Sequence, residues 1–246
     1  MATFSSSLVI LDSVESTNNY AMACIRDGTA GHGKAYFSYE QTSGKGRRGK
    51  VWQTQKGKNI ILSIILETES LSNRQFSLNM AVAVACYDLF STYAGENTSI
   101  KWPNDIFWND RKAGGILIEN IIGKTWQWSV IGIGMNINQT EFSIKDSFLP
   151  VSLKQITGKE FNIIELATQL YEGVLKRYNE LKNAGPGNIF AEYNQHLFRL
   201  NKKTKLKKST AVFETTVTGV NQQGQLLTSD SMQRQFNFDE IEWVKE

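Results

Sequence analysis

The densest group of reactive side chains lies at 44–50, where Lys45, Arg47, Arg48 and Lys50 are interleaved with Gly44, Gly46 and Gly49. Four cations this close repel one another unless an anion sits among them, and glycines let backbone N–H groups approach a ligand closely. One reading is a site for a phosphate or carboxylate. The other is a solvated basic turn, which is what a charge run taken alone usually is. Two familiar patterns match in spelling only. Gly28–Lys34 reads G-x-x-x-x-G-K, but Ala35 stands where a magnesium-binding hydroxyl is needed, and the segment joins a helix to a strand, the reverse of a P-loop. Gly44–Gly49 reads G-x-G-x-x-G, but no helix follows directly, as a dinucleotide fingerprint requires. A kinase loop would need HRD and DFG segments downstream, and the sequence has none.

Five further segments carry candidate chemistry: Glu15-Ser16-Thr17-Asn18, Gln41, KWPND at 101–105, DRKAGGILIE at 110–119 and GIGMNIN at 132–138. His32 and His196 are far apart, without metal-ligand spacing, so neither a zinc site nor a histidine-based triad is expected. Cys24 and Cys86 sit in apolar, helix-like contexts and make no disulfide framework.

Hydrophobic spacing supplies the elements that must hold these residues. Residues 8–11 read as a strand, and Ser16 or Thr17 as the cap of a helix running to about Asp27, ended by Gly28. Strands follow at 35–40 and 59–66, the second an isoleucine-rich run of the kind buried on both faces. Ser72 and Gln75 form a capping box for a helix to about Tyr93, with Gly95 beyond it. A strand leads into 101–105, a hairpin turns near Asn109–Asp110, and 126–138 makes another strand. Gly114 and Gly115 mark a bulge or a close approach of ligand to backbone. Helical spacing at Ile163, Leu166, Leu170 and Val174 marks 162–183, and Ala184–Gly187 breaks it before a short helix. After about Leu200 come short alternating strands with turns such as Asn221–Gly224.

In this order and at this spacing, the segments resemble the catalytic domain of biotin–protein ligases over roughly residues 8–140, and the tail resembles that family's SH3-like C-terminal domain. The basic loop and KWPND are specific together, not singly. One departure is Lys45, where the bacterial loop often carries arginine; lysine keeps the charge and loses the bidentate fork. The resemblance implies an α+β fold. A mixed, mostly antiparallel sheet with helices, of class II synthetase-like kind, would occupy residues 1–198, and a small SH3-like β-barrel 199–246. It implies ATP-dependent ligation of biotin to a lysine of a biotin carboxyl carrier protein, or of a carboxylase carrier domain, through biotinyl-5′-AMP. Such an enzyme is a biotin–[acetyl-CoA-carboxylase] ligase. ATP and biotin are then substrates, and magnesium arrives transiently with the nucleotide instead of occupying a resident metal site.

Carried over position by position, the catalytic residues are Lys112, which would meet the biotin carboxylate and α-phosphate, and Arg47, tied to retention of the adenylate. Ser16, Thr17, Asn18, Gln41, Lys45, Gly46, Arg47, Lys112 and Gly115 would bind biotin. Arg47, Arg48, Trp52, Asn104, Asp105 and Lys112 would bind the nucleotide, with Trp52 covering the adenine. The residue types suit the reaction. A carboxylate and a polyphosphate are both anions, and fixed cations with backbone donors offset their repulsion. A ureido group has donors and an acceptor, which hydroxyls and carboxamides match. Gly132 and Gly134 would leave room for biotin's rings, and the loop at 44–50 would become ordered on ligand binding. Trp102 and Trp108 read as packing residues, and Lys202–Lys208 as a solvated strand and turn.

The net charge of +3 is too small to point to nucleic acid or a membrane surface. The start lacks the pattern of a signal peptide, and no apolar run reaches membrane-spanning length. A cytoplasmic protein is expected, with neither DNA nor membrane as partner, since the Glu15–Asn18 segment begins too early to leave room for a DNA-binding module. It would be a monomer or a homodimer, with a strand edge near 126–138 as the interface. A lipoate–protein ligase, sharing fold and adenylate logic, is the nearest rival. A non-catalytic binder is disfavoured by Lys112 and the charged loop.

Overall fold

The computed structural model describes residues 7–71, 74–142 and 148–244, Arg48 by its backbone alone. Seven strands form one sheet: β1 (Leu8–Leu11), β2 (Ala35–Ser38), β3 (Ile60–Glu67), β4 (Thr98–Lys101), β5 (Asp105–Trp108), β6 (Arg111–Ile122) and β7 (Trp126–Met135), in the order β1-β2-β3-β7-β6-β5-β4. β1 and β2 pair parallel and the other neighbours antiparallel, so the sheet is mixed and mostly antiparallel, as expected.

Side-chain alternation divides the sheet into two faces with different roles. Ile60, Leu62, Ile64 and Leu66 of β3, with Ile131, Ile133 and Met135 of β7, point into the main core. Helices α2 (Gln75–Ala94) and α4 (Ile163–Ala184) cover that face. α2 also packs against α4 and α5 (Gly187–Gln195), so it is apolar around most of its circumference, with Leu78, Met80, Val82, Val84 and Phe90 all buried. On the opposite face, α1 (Thr17–Arg26) lays Ala21 against Tyr36, Ile65 and Val130. β3 is thus buried on both sides, which is why it reads as a continuous apolar run and does not alternate. α1 covers only part of its face, and the site lies in the remainder.

Several boundaries differ from the sequence reading. β7 ends at Met135 and lies between β3 and β6, so the 126–138 segment presents no sheet edge for an interface. α2 begins after Arg74, whose side chain makes no capping bond, and Ser72 of the expected capping box lies outside the described residues. A short helix, α3 (Leu153–Thr157), was not anticipated. It has a capping box between Ser152 and Gln155 and ends at Gly158 with φ 73°, but five residues are too few to display a helical period.

The C-terminal strands β8 (Lys203–Lys208), β9 (Ala211–Val220), β10 (Leu226–Ser229), β11 (Gln233–Phe236) and β12 (Glu242–Trp243) form a second sheet, all antiparallel, in the order β11-β10-β9-β8-β12. In β8, Lys203 and Lys205 are exposed while Thr204 and Leu206 are buried, the alternation of a solvated strand. This sheet is fastened to the β4–β5 turn and to α5 by specific polar contacts. Trp102 Nε1 donates to Gly224 O at 2.9 Å, and Val220 N to Asn194 Oδ1 at 2.7 Å. The Phe238 ring lies 5.4 Å from Trp102 and 5.7 Å from Phe76.

Candidate active site

On the α1 face, where the two sheets meet, lies a cavity of about 370 Å³. Ile61 of β3, Gly132 and Gly134 of β7, and Gly115 and Leu117 of β6 make its floor. The first turn of α1, the 44–52 loop and the β4–β5 turn make its walls, and Phe238, Ile241 and Trp243 reach in from the C-terminal sheet. Every expected site residue except Arg48 lines it; the Arg48 side chain lies outside the described residues.

The first turn of α1 is held by hydrogen bonds to three neighbouring segments. Ser16 is its N-cap and accepts from Asn19 N. Thr17 N donates to Gln41 Oε1 at 2.8 Å, and Thr17 Oγ1 lies 3.0 Å from the same oxygen. With its oxygen engaged, the Gln41 carboxamide has only N–H left for a ligand. Asn18 is buried, donating through Nδ2 to Glu119 Oε2 at 2.7 Å and to Leu117 O at 3.3 Å. Beneath them the fully buried Ser63 of β3 places Oγ 2.8 Å from Thr17 Oγ1 and 2.6 Å from Asn18 Oδ1.

The basic loop is a folded turn. Lys45 bridges Val51, Gly46 N donates to Lys50 O at 2.7 Å, and Trp52 N donates to Gly44 O at 2.9 Å. Gly49 takes φ 72°, and a Cβ on Gly44 would run into the Trp52 carbonyl, so two of the three glycines are needed by the turn itself. Lys45 Nζ donates to Asn19 Oδ1 at 2.6 Å. Arg47 donates to Asn104 Oδ1 at 3.2 Å, lies 4.0 Å from Asp239 and sits over the Phe238 ring, linking loop, central sheet and C-terminal sheet.

A β-bulge puts Lys112 in the cavity. Ile106 pairs with Gly114 and Phe107 with Lys112, leaving Ala113 as the extra residue of β6. Beyond it the cavity side is taken by the odd-numbered Gly115, Leu117 and Glu119, so an unbulged strand would turn Lys112 to the core. The bulge reverses that parity. Lys112 Nζ forms an ion pair with Asp105 Oδ1 at 2.8 Å and stands 5.7 Å from the centre of the Trp52 ring. Its backbone is clamped by Leu149 O and Val151 N.

One expectation needs correction. The space beside Gly132 and Gly134 is filled by protein: a Cβ on Gly132 would collide with the Asn18 carboxamide, and one on Gly134 with the Trp52 indole. Trp52 therefore lies on the sheet floor, its Nε1 buried without a hydrogen-bond partner. Trp102 and Trp108 do serve packing, donating to Gly224 O and Ala94 O, although Trp102 also borders the cavity.

The sequence reading missed Lys101, whose ammonium lies 5.1–5.4 Å from the ring centres of Phe148, Phe107 and Trp243. It also missed Ser63, Phe238 and Trp243. The lysine of KWPND was a visible signal, but of its aromatic neighbours only Phe107 is on the adjoining strand, and Phe148 and Trp243 come from distant segments. In all, Lys45, Arg47, Lys50, Lys101 and Lys112 line the cavity against the carboxylates Asp105 and Glu242, a balance suited to an anionic ligand. Among the described residues no group of three His, Cys, Asp or Glu side chains is placed to hold a metal ion. Asp105 and Glu242 are carboxylates of the kind that would hold magnesium when most of its ligands are phosphate oxygens and water.

The sequence model of the biotin/lipoate A/B protein ligase family matches residues 10–136, more than half of the chain. The chain belongs to this family. Within it, the bifunctional ligase/repressor BirA of Bacillus spizizenii is 28% identical over 237 residues, covering 94% of this chain and 73% of that protein. The biotin–[acetyl-CoA-carboxylase] ligase of Paracoccus denitrificans is 35% identical over 101 residues, 40% of this chain and 42% of its own. The fold is that of the biotin protein ligase from Aquifex aeolicus solved with biotin and ATP, with a TM-score of 0.83 at 21% identity, covering 98% of this chain and 100% of that one.

Proposed function

We propose that the chain is a biotin–[acetyl-CoA-carboxylase] ligase, which forms biotinyl-5′-AMP from biotin and ATP and passes the biotinyl group to a lysine of a biotin carboxyl carrier protein or carrier domain. The observation that carries this reading is one cavity holding two complementary halves. A set of hydroxyls and carboxamides on α1 and Gln41 suits a cyclic urea, and the Lys112–Asp105 pair with its surrounding cations suits a carboxylate meeting a triphosphate.

In the first step a biotin carboxylate oxygen attacks the α-phosphorus, and the bond to pyrophosphate breaks. Lys112 donates to both anions and lowers their repulsion at the point of attack, where exclusion of water strengthens its field. Arg47, held by Asn104, closes the loop over the mixed anhydride, with Lys45, Gly46 and Arg48 as further loop contacts. Ser16, Thr17, Asn18 and Gln41 hold the ureido end and Gly115 borders the biotin site. Trp52, Asn104 and Asp105 face the nucleotide. Magnesium, carried on the phosphates, would neutralise charge on the leaving pyrophosphate, with Asp105 as its protein ligand. In the second step the carrier lysine amine attacks the acyl carbon, and AMP leaves with the bonding pair. Residues 1–198 form the ligase domain in this reading and 199–246 the SH3-like appendage, in a cytoplasmic protein.

Incubation with biotin, magnesium-ATP and a biotin carboxyl carrier domain, followed by intact-mass spectrometry, tests the proposal. One added biotinyl group on the carrier is the expected result. Modification of a lipoyl domain by lipoate, with none by biotin, would transfer the assignment to the lipoate branch.

A further inference from the structure

Lys112 lies where β6 runs past the end of its neighbour. β7 ends at Met135, which pairs with Gly114, so β7 does not reach Lys112. The 149–151 segment takes its place as a strap. Lys112 N donates to Leu149 O at 2.8 Å, and Val151 N donates to Lys112 O at 2.9 Å, the pattern of a parallel bridge centred on Pro150. The buried Asn136 closes the corner: its N donates to Ala113 O at 2.8 Å and its Nδ2 to Lys112 O at 3.3 Å. These bonds fix the backbone at the bulge, from which the Lys112 ammonium reaches into the cavity on a long flexible stem.

The strap is itself held at two points. After Val151 it runs into the capping box of α3, where the buried Ser152 accepts from Gln155 N and donates through its own N to Gln155 Oε1 at 3.1 Å. In its middle, Pro150 has no N–H, so its carbonyl is the one backbone group there that can be gripped. The Arg111 guanidinium grips it, with Nε at 3.2 Å and a terminal nitrogen at 2.6 Å, and the same terminal nitrogen lies 3.5 Å from Gln155 Oε1. Two donors on one oxygen set its direction as well as its distance. Arg111 is not among the residues that line the cavity, although Lys112 beside it is. Its effect on a ligand therefore passes through other residues.

We infer that Arg111 is a positioning residue for the adenylation step: by holding the Pro150 carbonyl it keeps the strap against Lys112 and so sets where the Lys112 ammonium stands. This rests on the proposed reading of the cavity and adds the residue that makes its lysine effective. Without the grip the strap loosens, the Lys112 backbone turns toward water, and the ammonium samples a wider volume. A donor works on developing charge only when it is already in place, so such freedom weakens it.

A double-mutant cycle on the full chain tests the inference. Binding of a stable acyl-sulfamate analogue of biotinyl-5′-AMP is measured by calorimetry for wild type, Arg111→Ala, Lys112→Ala and the two changes together. Arg111→Ala alone is expected to weaken binding about tenfold, the worth of one hydrogen bond to a charged group. Added to Lys112→Ala, it is expected to change binding by no more than about twofold, because the group it positions is gone. In biotin-dependent pyrophosphate exchange, Arg111→Ala should lower kcat and leave the KM for biotin nearly unchanged. Arg111→Lys keeps reach and charge but gives up the fork, and is the second variant should the alanine chain fold poorly; a smaller loss is expected, with the same dependence on Lys112. Equal weakening with and without Lys112 would mark a merely structural role and overturn the inference, as would full affinity in Arg111→Ala. Failure of wild type to bind the analogue would instead overturn the functional reading, and the inference with it.

Discussion

At the residue scale the site depends on the pairing of Lys112 with Asp105 at 2.8 Å. Lys112→Ala removes the cation nearest the proposed point of attack and should lower kcat/KM for adenylation by about 10²–10³-fold, the range for loss of one preorganised electrostatic donor. Biotin affinity should fall far less, which calorimetry beside a kinetic assay would reveal; equal losses would mean that Lys112 only binds. Lys101, enclosed by Phe107, Phe148 and Trp243, should act on the nucleotide side. Lys101→Met is expected to raise the KM for ATP about tenfold, the effect of one charge-assisted contact, and to leave biotin binding within twofold or so. A change confined to biotin would contradict that assignment. Residue types were legible in the sequence because the chemistry demands them: a lysine for an anion, a carboxamide and hydroxyls for a urea. Ser63 and Lys101 were not, because what distinguishes them is their neighbours. Ser63 meets Thr17 and Asn18 only across the packing of α1 on the sheet, and nothing in NIILSIIL separates its serine from a chance polar residue in a buried strand.

At the element scale the controlling features are the bulge at Ala113 and the floor glycines. The sequence offered a bulge at Gly114–Gly115 as one of two alternatives, beside a close approach of ligand to backbone, and the extra residue is Ala113. Its consequence, the reversal of side-chain parity that faces Lys112 into the cavity, follows only once the register of β5 and β6 is known. The floor glycines were read as space for ligand and prove to be seats for Asn18 and Trp52. A sequence shows where a side chain is missing, but it does not show what fills the gap. Gly132→Ala should therefore push the Asn18 carboxamide off its seat, at about 1–3 kcal/mol of overpacking. It should weaken biotin binding at least tenfold or so, and a variant binding biotin as well as wild type would refute the packing argument. For the loop at 44–50, slower amide exchange is expected when biotin and ATP are present, read by mass spectrometry; equal exchange with and without ligand would show that it does not close.

At the scale of the whole molecule, strand and helix periodicity located most elements, while the joining of the two sheets stayed hidden because it depends on single contacts between distant residues. Trp102→Phe deletes the bond to Gly224 O and should cost about 1–3 kcal/mol, since the carbonyl is left unsatisfied in a buried contact. The melting temperature should drop by about 2–4 °C per kcal/mol for a chain of this size. Burial holds His196, stacked on Tyr87 with ring centres 3.9 Å apart, below its ordinary value of 6.5, partly countered by Asp88 and Glu192; His32 is lowered by burial as well. The unfolded chain takes up protons before the folded one does. This contribution to stability is therefore present above about pH 6.5 and lost as pH falls through the window below it. Melting temperatures at about pH 7.5 and about pH 5.5 should differ accordingly, and His196→Phe, which keeps the ring stack, should narrow the difference. An unchanged gap would exclude His196 as a source.

The most direct test of the whole reading is biotin-dependent exchange of labelled pyrophosphate into ATP, with magnesium present, run on wild type and Lys112→Ala with lipoate in parallel. Exchange with biotin, absent with lipoate and lost in the variant, is the expected result. No exchange with biotin from well-folded wild-type protein, or exchange with lipoate alone, would contradict the assignment.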